Sequence, residues 1–308
     1  MKAILFPGQG TQIVGMGLEF YKNFEIVKQI FNEADERLKF KISKVILEGP
    51  ENELKLTSNT QPAILTVSYA IFSVLKREFN YDFSTTKYFA GHSLGEYSAL
   101  VGADSLLFED AIFLLIERGR SMQEAVPIGK GGMLAVLGLN LDEIKNYLND
   151  VKKKGVCEVA NDNAEGQIIV SGDIECINLL QEILKKDKKR SIPLNVSAPF
   201  HCSLMNPAAE VMKNKIKLVN FKKPSFDIIC NVTSKPENNP DNLKQLLVEQ
   251  IYSSVRWRES LIYMLSQKVT DYIEIGPGKV LSGMVKRTLK DINCFSINSI
   301  DDIKNLHD

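Results

Sequence analysis

The segment Ala90-Gly91-His92-Ser93-Leu94-Gly95-Glu96-Tyr97 constrains this chain more than any other. Before it, Lys87-Tyr88-Phe89-Ala90 is a short, mostly apolar run suited to a buried strand; after it, Leu94 to Gly102 is rich in small residues and compatible with a helix. A Gly-x-Ser-x-Gly between strand and helix is the pattern of a nucleophile elbow, a sharp turn that lifts a serine hydroxyl to the mouth of a sheet. The flanking glycines let the backbones approach. The Leu94 N–H, at a helix start, is aimed toward developing negative charge. The same five residues also fit an ordinary glycine-bounded turn with a capping serine. The rest of the chain has to decide.

With 308 residues and 44% hydrophobic content, the chain can bury a sizeable core and hold two domains. Lys+Arg and Asp+Glu both number 38, and zero net charge argues against an extended nucleic-acid or membrane-surface footprint. The basic run Lys185-Lys186-Asp187-Lys188-Lys189-Arg190 is local. It reads as a solvated helix end and turn, and it also suits an acidic partner. Five cysteines, at 157, 176, 202, 230 and 294, include no CxxC pair and fit reduced cytoplasmic thiols better than a disulfide or zinc framework. No signal-peptide pattern opens the sequence and no apolar run approaches membrane-spanning length. These features predict a soluble, cytoplasmic globular protein with no bound metal or cofactor.

Residues 2–6 read as a buried strand leading into the glycine-bearing loop Pro7-Gly8-Gln9-Gly10-Thr11-Gln12, which lacks the Gly-Lys-Ser/Thr ending of a phosphate-binding loop. One helix is expected to carry Phe20, Phe24, Val27 and Phe31. A second is expected to open at Thr60-Gln61-Pro62, with the proline at its first position. After the elbow, Phe108 to Val126 is an amphipathic helix whose apolar stripe includes Ala111, Leu114, Leu115, Met122 and Arg118, whereas Arg120 turns away. A guanidinium among apolar residues needs an anion. Either a structural ion pair or a bidentate clamp on a substrate carboxylate meets that need.

From Pro127 the order strand, helix, two strands, helix, strand spans 133–139, 141–154, 156–160, 167–171, 174–186 and 191–196, which is that of a ferredoxin-like subdomain. Larger α/β patterns resume after it, so residues 1–126 and 197–308 form one large domain and 127–196 an insertion. Such an insertion sets a cleft between two bodies. Beyond it come a helix from Leu204 to Leu218, a strand from Phe226 to Asn231 and a helix from Leu243 to Ser253. The strand before Gly276-Pro277-Gly278, a final helix to about Leu289, an edge strand at 295–297 and a fraying tail from Asp301 complete the chain.

A serine nucleophile needs a neighbouring base, most often histidine, and the chain has three. His307 sits in the polar tail. His92 adjoins Ser93, where successive side chains point to opposite faces. That leaves His201, in a loop at the junction of the two domains. No acid stands out to accept its other ring proton.

Phe6-Pro7-Gly8-Gln9-Gly10-Thr11-Gln12, Gly91-His92-Ser93-Leu94-Gly95-Glu96, Arg118, Ala160-Asn161-Asp162-Asn163, His201 and Glu274-Ile275-Gly276-Pro277-Gly278 together resemble the malonyl-CoA:acyl carrier protein transacylases over nearly the whole chain. The resemblance implies a hydrolase-like three-layer α/β domain with an inserted ferredoxin-like subdomain, and a ping-pong transfer through a malonyl-serine. It implies Ser93 as nucleophile, His201 as general base, the backbone N–H groups of Gln9 and Leu94 as oxyanion donors, and Arg118 as partner of the free malonyl carboxylate. In this family a main-chain carbonyl orients the histidine, and the matching position is Gln250. His92, Asn161, Asn163 and Phe200 would support the acyl pocket. An apolar residue after the serine and Phe before the histidine go with malonyl rather than methylmalonyl, which Leu94 and Phe200 match. Two positions depart from the pattern: many relatives carry Ser where Phe200 stands and Pro where Ser254 stands.

The partners so implied are malonyl-CoA and a transiently bound, acidic acyl carrier protein, with the chain acting as a monomer and the phosphopantetheine arm as acceptor. The pathway served would be fatty-acid synthesis, with a polyketide synthase or a malonate decarboxylase system as close variants. From other classes, a serine thioesterase or hydrolase would use the same elbow and histidine but has no role for Arg118 with a neutral acyl chain. A non-catalytic binding module would need neither.

Overall fold

The computed structural model describes residues 1–306, and His307 therefore lies outside the described residues. The strands are β1 (Lys2–Phe6), β2 (Thr86–Gly91), β3 (Gly131–Leu137), β4 (Cys157–Ala164), β5 (Gln167–Asp173), β6 (Arg190–Pro193), β7 (Asp227–Ile229), β8 (Pro236–Glu237), β9 (Asp271–Ile275) and β10 (Asn293–Ile297). They form two sheets. The larger runs β10-β9-β1-β2-β7-β8, parallel except for the β7–β8 pair, and the smaller runs β4-β5-β3-β6 with antiparallel neighbours.

The central strand β1 shows why the large sheet needs two helical layers. Ile4 and Phe6 face one side, where they pack with residues of the helices Glu25–Leu38, Thr57–Arg77 and Phe108–Glu124. Ala3 and Leu5 face the other, with Trp257 and Leu261 of the helix Trp257–Ser266 and Leu281 and Val285 of the helix Val280–Thr288. Side chains alternate across a strand, so a strand apolar at every position from Ala3 to Phe6 is stable only when covered on both faces. An aromatic cluster fixes β1 to β2 and β7: the Phe89 ring lies 5.9 Å from Phe6, 5.8 Å from Phe72 and 4.6 Å, stacked, from Phe226. Each such buried ring contributes on the order of 1.5–3 kcal/mol.

The same alternation governs the small sheet. Leu134 and Val136 of β3 pack under the helices Leu141–Val151 and Ile174–Lys186, while Met133 and Ala135 face the main body. Its strand order and two covering helices are those of a ferredoxin-like unit. The small sheet is stitched to the main body through β4, where Asn161 bridges Val255 in the segment before the helix Trp257–Ser266. There the Val255 N–H donates to the Ala160 carbonyl at 2.8 Å and the Asp162 N–H to the Val255 carbonyl at 3.0 Å.

Several elements differ from the sequence expectation. The helix expected at Thr60 begins at Thr57, which puts Pro62 inside it. The earlier start is supported by the Thr60 hydroxyl, which donates to the Leu54 carbonyl at 2.6 Å. The helix through Phe20 and Phe31 is two, Leu18–Asn23 and Glu25–Leu38, because Phe24 between them is extended while its ring stays stacked on Phe20. β4 runs on to Ala164, and two register shifts let it carry Asn161 and Asn163 despite their poor strand propensity. β6 ends at Pro193, so Leu194 to Val196 is loop. The helix expected at 243–253 spans Pro240–Glu249, opened by the Asn239 cap and Pro240. The helix expected at 204–218 is a short 3-10 turn, Ser203–Met205, followed by Asn206–Ile216. The tail does not fray at Asp301: Ile300–Lys304 is helical, with Ile303 buried and a Ser299–Asp302 capping box.

Candidate active site

β2 ends at Gly91 and the helix Gly95–Gly102 starts four residues later, so the chain must reverse within the elbow. Ser93 takes up the reversal with φ +52°, a left-handed conformation that is strained for a residue with a side chain. Its flanking glycines are obligatory: a Cβ on Gly91 would lie 1.9 Å from the Gly95 carbonyl, and one on Gly95 2.2 Å from the Phe6 oxygen. The motif is therefore a nucleophile elbow and not a capped turn.

The Ser93 Oγ lies 2.8 Å from His201 Nε2, and His201 Nδ1 lies 2.8 Å from the Gln250 carbonyl oxygen. A carbonyl only accepts, so Nδ1 carries the proton and Nε2 presents a lone pair to the serine hydroxyl. His201 is itself left-handed, with φ +59°. Its loop is held by Glu158 of β4, whose carboxylate accepts from the Ser203 N–H at 2.9 Å and hydroxyl at 2.8 Å. Burial, and then the nearby Arg118 charge, push the imidazole pKa down to about 3. His201 is thus a neutral imidazole at physiological pH.

Arg118 is 1% exposed, and it forms no ion pair among the described residues. Its Nη1 donates to Gln61 Oε1 at 2.8 Å, and its Nη2 to Gln250 Oε1 at 2.9 Å and to Ser93 Oγ at 3.1 Å; Nε has no partner among the described residues. The guanidinium is solvated by two amides and one hydroxyl, so the structural ion pair is not formed. The Glu96 carboxylate is linked to it indirectly, through Gln250, whose Nε2 donates to Glu96 Oε2 at 2.9 Å. Burial raises the Glu96 pKa to about 7. A buried cation of this kind gains most from an incoming anion. Arg120, by contrast, is exposed and pairs with Glu117.

His92 does not meet Ser93 Oγ. Its Nε2 pairs with Asn163 Oδ1 at 2.8 Å and its ring packs edge-on against Trp257, which sets it as a bridge to β4. A cleft of about 360 Å³ lies over this assembly, and Gln9, His92, Ser93, Leu94, Arg118, Asn161, Asn163, Phe200 and His201 all line it. Gln250 instead sits beneath, fully buried. The backbone N–H groups of Gln9 and Leu94 make no hydrogen bond among the described residues, so both remain available as donors.

Gln61, Met133, Ile169 and Met284 also line the cleft, beyond the residues that the sequence pattern singles out. Gln61 carries a usable signal: an amide beside the apolar run of a long helix needs a polar partner. The Lys185–Arg190 run is exposed, and β6 leads from it to Leu194, Asn195 and Val196 at the cleft.

The chain is similar to known proteins over nearly its whole length. Residues 4–306 match the acyl transferase domain family. The malonyl CoA-acyl carrier protein transacylase of Bacillus subtilis is 43% identical over 304 residues, covering 98% of this chain and 95% of the relative. The crystal structure of an acyl-carrier-protein S-malonyltransferase from Bartonella henselae superposes with a TM-score of 0.96 at 39% identity, covering 99% and 98% of the two chains. A malonyl-transacylase solved in complex with a type II polyketide acyl carrier protein superposes at 0.95 with 37% identity, again over 99% and 98%. No helix among the described residues is long and apolar enough to cross a membrane. With full-length likeness on this scale, and with a serine, a neutral histidine and an unpaired buried arginine meeting in one cleft, the chain belongs to the malonyl CoA-acyl carrier protein transacylase family of acyltransferases.

Proposed function

We propose that this chain moves a malonyl group from malonyl-CoA to the phosphopantetheine thiol of holo acyl carrier protein, in support of fatty-acid synthesis. The observation that carries the reading is the Arg118 guanidinium, buried 3.1 Å from Ser93 Oγ and in no ion pair among the described residues. An acyl group attached to Ser93 extends past that cation. Malonyl brings the carboxylate that pairs with it, whereas an acetyl or longer neutral chain leaves a buried charge unsatisfied.

The steps follow from the geometry. Ser93 Oγ attacks the thioester carbonyl as its proton passes to His201 Nε2. The Gln9 and Leu94 N–H groups hold the resulting oxyanion. Collapse breaks the carbon–sulfur bond, and the leaving coenzyme A thiolate takes the proton from His201, leaving malonyl-Ser93. In the second half the carrier's thiol gives its proton to His201, its sulfur attacks the ester carbonyl, and Ser93 Oγ departs with the proton. A thioester is reactive enough for a serine–histidine pair without an acid, and the Gln250 carbonyl supplies the orientation. Leu94 and Phe200, both buried at the cleft, suit malonyl without an added methyl branch. The exposed Lys185–Arg190 run, joined to the cleft by β6, suits an acidic carrier docking from that side. The five free cysteines fit a reducing cytoplasm, and one chain supplies every site residue, so a monomer suffices.

Intact-mass analysis after brief exposure to malonyl-CoA tests the reading. A single malonyl adduct is expected on the native chain, absent from Ser93→Ala and discharged by holo acyl carrier protein. Free malonate as the main product would make the protein a hydrolase instead.

A further inference from the structure

Ser93 is strained, and its strain is held by a residue that touches neither substrate nor base. Asn231 lies just past β7, fully buried, in the register that brings it beside the elbow. Its Oδ1 accepts the Ser93 N–H at 2.7 Å and its Nδ2 donates to the Gly91 carbonyl at 2.7 Å. The amide orientation follows from chemistry alone, because an N–H needs an acceptor and a carbonyl a donor. The two bonds grip the chain on both sides of His92, across the turn that forces φ of Ser93 positive. Asn231 is itself fixed at both ends: its N–H donates to Glu96 Oε2 at 2.9 Å and its carbonyl accepts the Arg256 N–H at 3.0 Å. Gln250 Nε2 completes the cage by donating to the Ser93 carbonyl at 3.1 Å.

We propose that Asn231 is a positioning residue that holds Ser93 in its left-handed, reactive conformation, and that Glu96 acts in the same frame by anchoring the Asn231 backbone. The inference rests on Ser93 as the acyl-bearing residue. One consequence is visible in the bonding: the Ser93 N–H is spent on Asn231, which leaves Leu94 and Gln9 as the free donors near the hydroxyl. Released from the clamp, Ser93 would relax toward negative φ and carry Oγ away from His201 Nε2 and Arg118. A displacement of about 1 Å costs on the order of 10²-fold in rate.

The test compares native chain, Asn231→Ala and Asn231→Asp by rapid-quench mass analysis of malonyl-enzyme formation. Alongside runs phenylmethylsulfonyl fluoride, a small serine reagent that needs no arginine. Acylation and sulfonylation are expected to slow in parallel, roughly 10²-fold for Asn231→Ala, with the half-saturating malonyl-CoA concentration shifted by less than about threefold. Asn231→Asp keeps the volume and the acceptor but loses the donor to Gly91, so it also slows both reactions. The stability readout uses Ser93→Gly: glycine adopts positive φ freely and has no strain to release, so Asn231→Asp should lower the melting temperature more in that background than in the native one, where relaxation of Ser93 offsets part of the lost bonding. Near-native acylation by a folded variant, a loss confined to KM, or equal melting losses in both backgrounds would overturn the clamp. A native chain that reacts with the sulfonyl fluoride but takes no malonyl group would overturn the functional reading while leaving the clamp to be judged on the sulfonylation rates.

Discussion

His201 meets the backbone of Gln250, not its side chain: Nδ1 lies 2.8 Å from the main-chain oxygen, while the Gln250 amide turns away to Arg118, Ser93 and Glu96. Orientation of the base is thereby separated from the amide network beneath the serine, and the two can be probed apart.

Gln250→Ala should leave His201 oriented, since the carbonyl survives. It removes one donor to Ser93 and one acceptor from Arg118, and the expected loss in acylation is about 10-fold, roughly 1.4 kcal/mol. A measured loss as large as that of His201→Ala, several orders of magnitude, would mean that the side chain does the orienting.

The pH dependence follows from the buried imidazole. Its pKa falls from 6.5 to about 3, so lowering the pH through 6.5 does not protonate the base. His201 should therefore contribute no inflection to the kcat/KM for acylation near the ordinary histidine value, and in the Glu96→Gln background the profile should stay flat from about pH 8 to about pH 5. Stability does respond in that range: the unfolded chain binds a proton at His201 that the folded chain refuses, so this group lowers stability as pH falls from 6.5 toward about 3. Glu96, raised from 4.5 to about 7, acts oppositely and lowers stability as pH rises through that window. Substituting Glu96→Gln should therefore shift the thermal-stability optimum toward higher pH, read by melting scans between about pH 4 and pH 8.

Arg118→Ala should depress malonyl transfer by roughly 10³-fold and acetyl transfer by less than about 10-fold, because only malonyl carries the pairing anion. Arg118→Lys should recover little, since an ammonium lacks the fork that reaches Gln61 and Gln250 at once. An equal loss for both acyl groups would remove the clamp from the mechanism.

Gly131 opens β3 against the His201 loop: a Cβ there would lie 2.3 Å from the Pro199 ring, two residues before His201. Gly131→Ala should cost about 1–3 kcal/mol of stability and slow acylation by displacing His201, although residue 131 does not line the cleft. Melting curves and the acylation rate check the two halves of this expectation.

Much of this was written in the chain. The elbow was legible because Gly-x-Ser-x-Gly leaves few conformations between a buried strand and a helix, and the tertiary structure turns that preference into a requirement, with a clash of 1.9 Å for any Cβ at Gly91. Arg118 was legible because a charge on an apolar helical stripe has to be explained, and β1 because an uninterrupted apolar strand needs two covering layers. His201 follows from the scarcity of histidines. What one-dimensional pattern could not supply was the choice between an ion pair and an open guanidinium at Arg118, the earlier start of the helix that presents Gln61, or the grip of Asn231 on Ser93. The first and the last join residues far apart in sequence, 57, 132 and 138 positions for the Arg118–Gln61, Arg118–Gln250 and Ser93–Asn231 bonds. Local propensity and spacing act over a few residues. Which buried donor meets which acceptor is fixed only when the strands have taken their order and the two sheets have closed over the cleft.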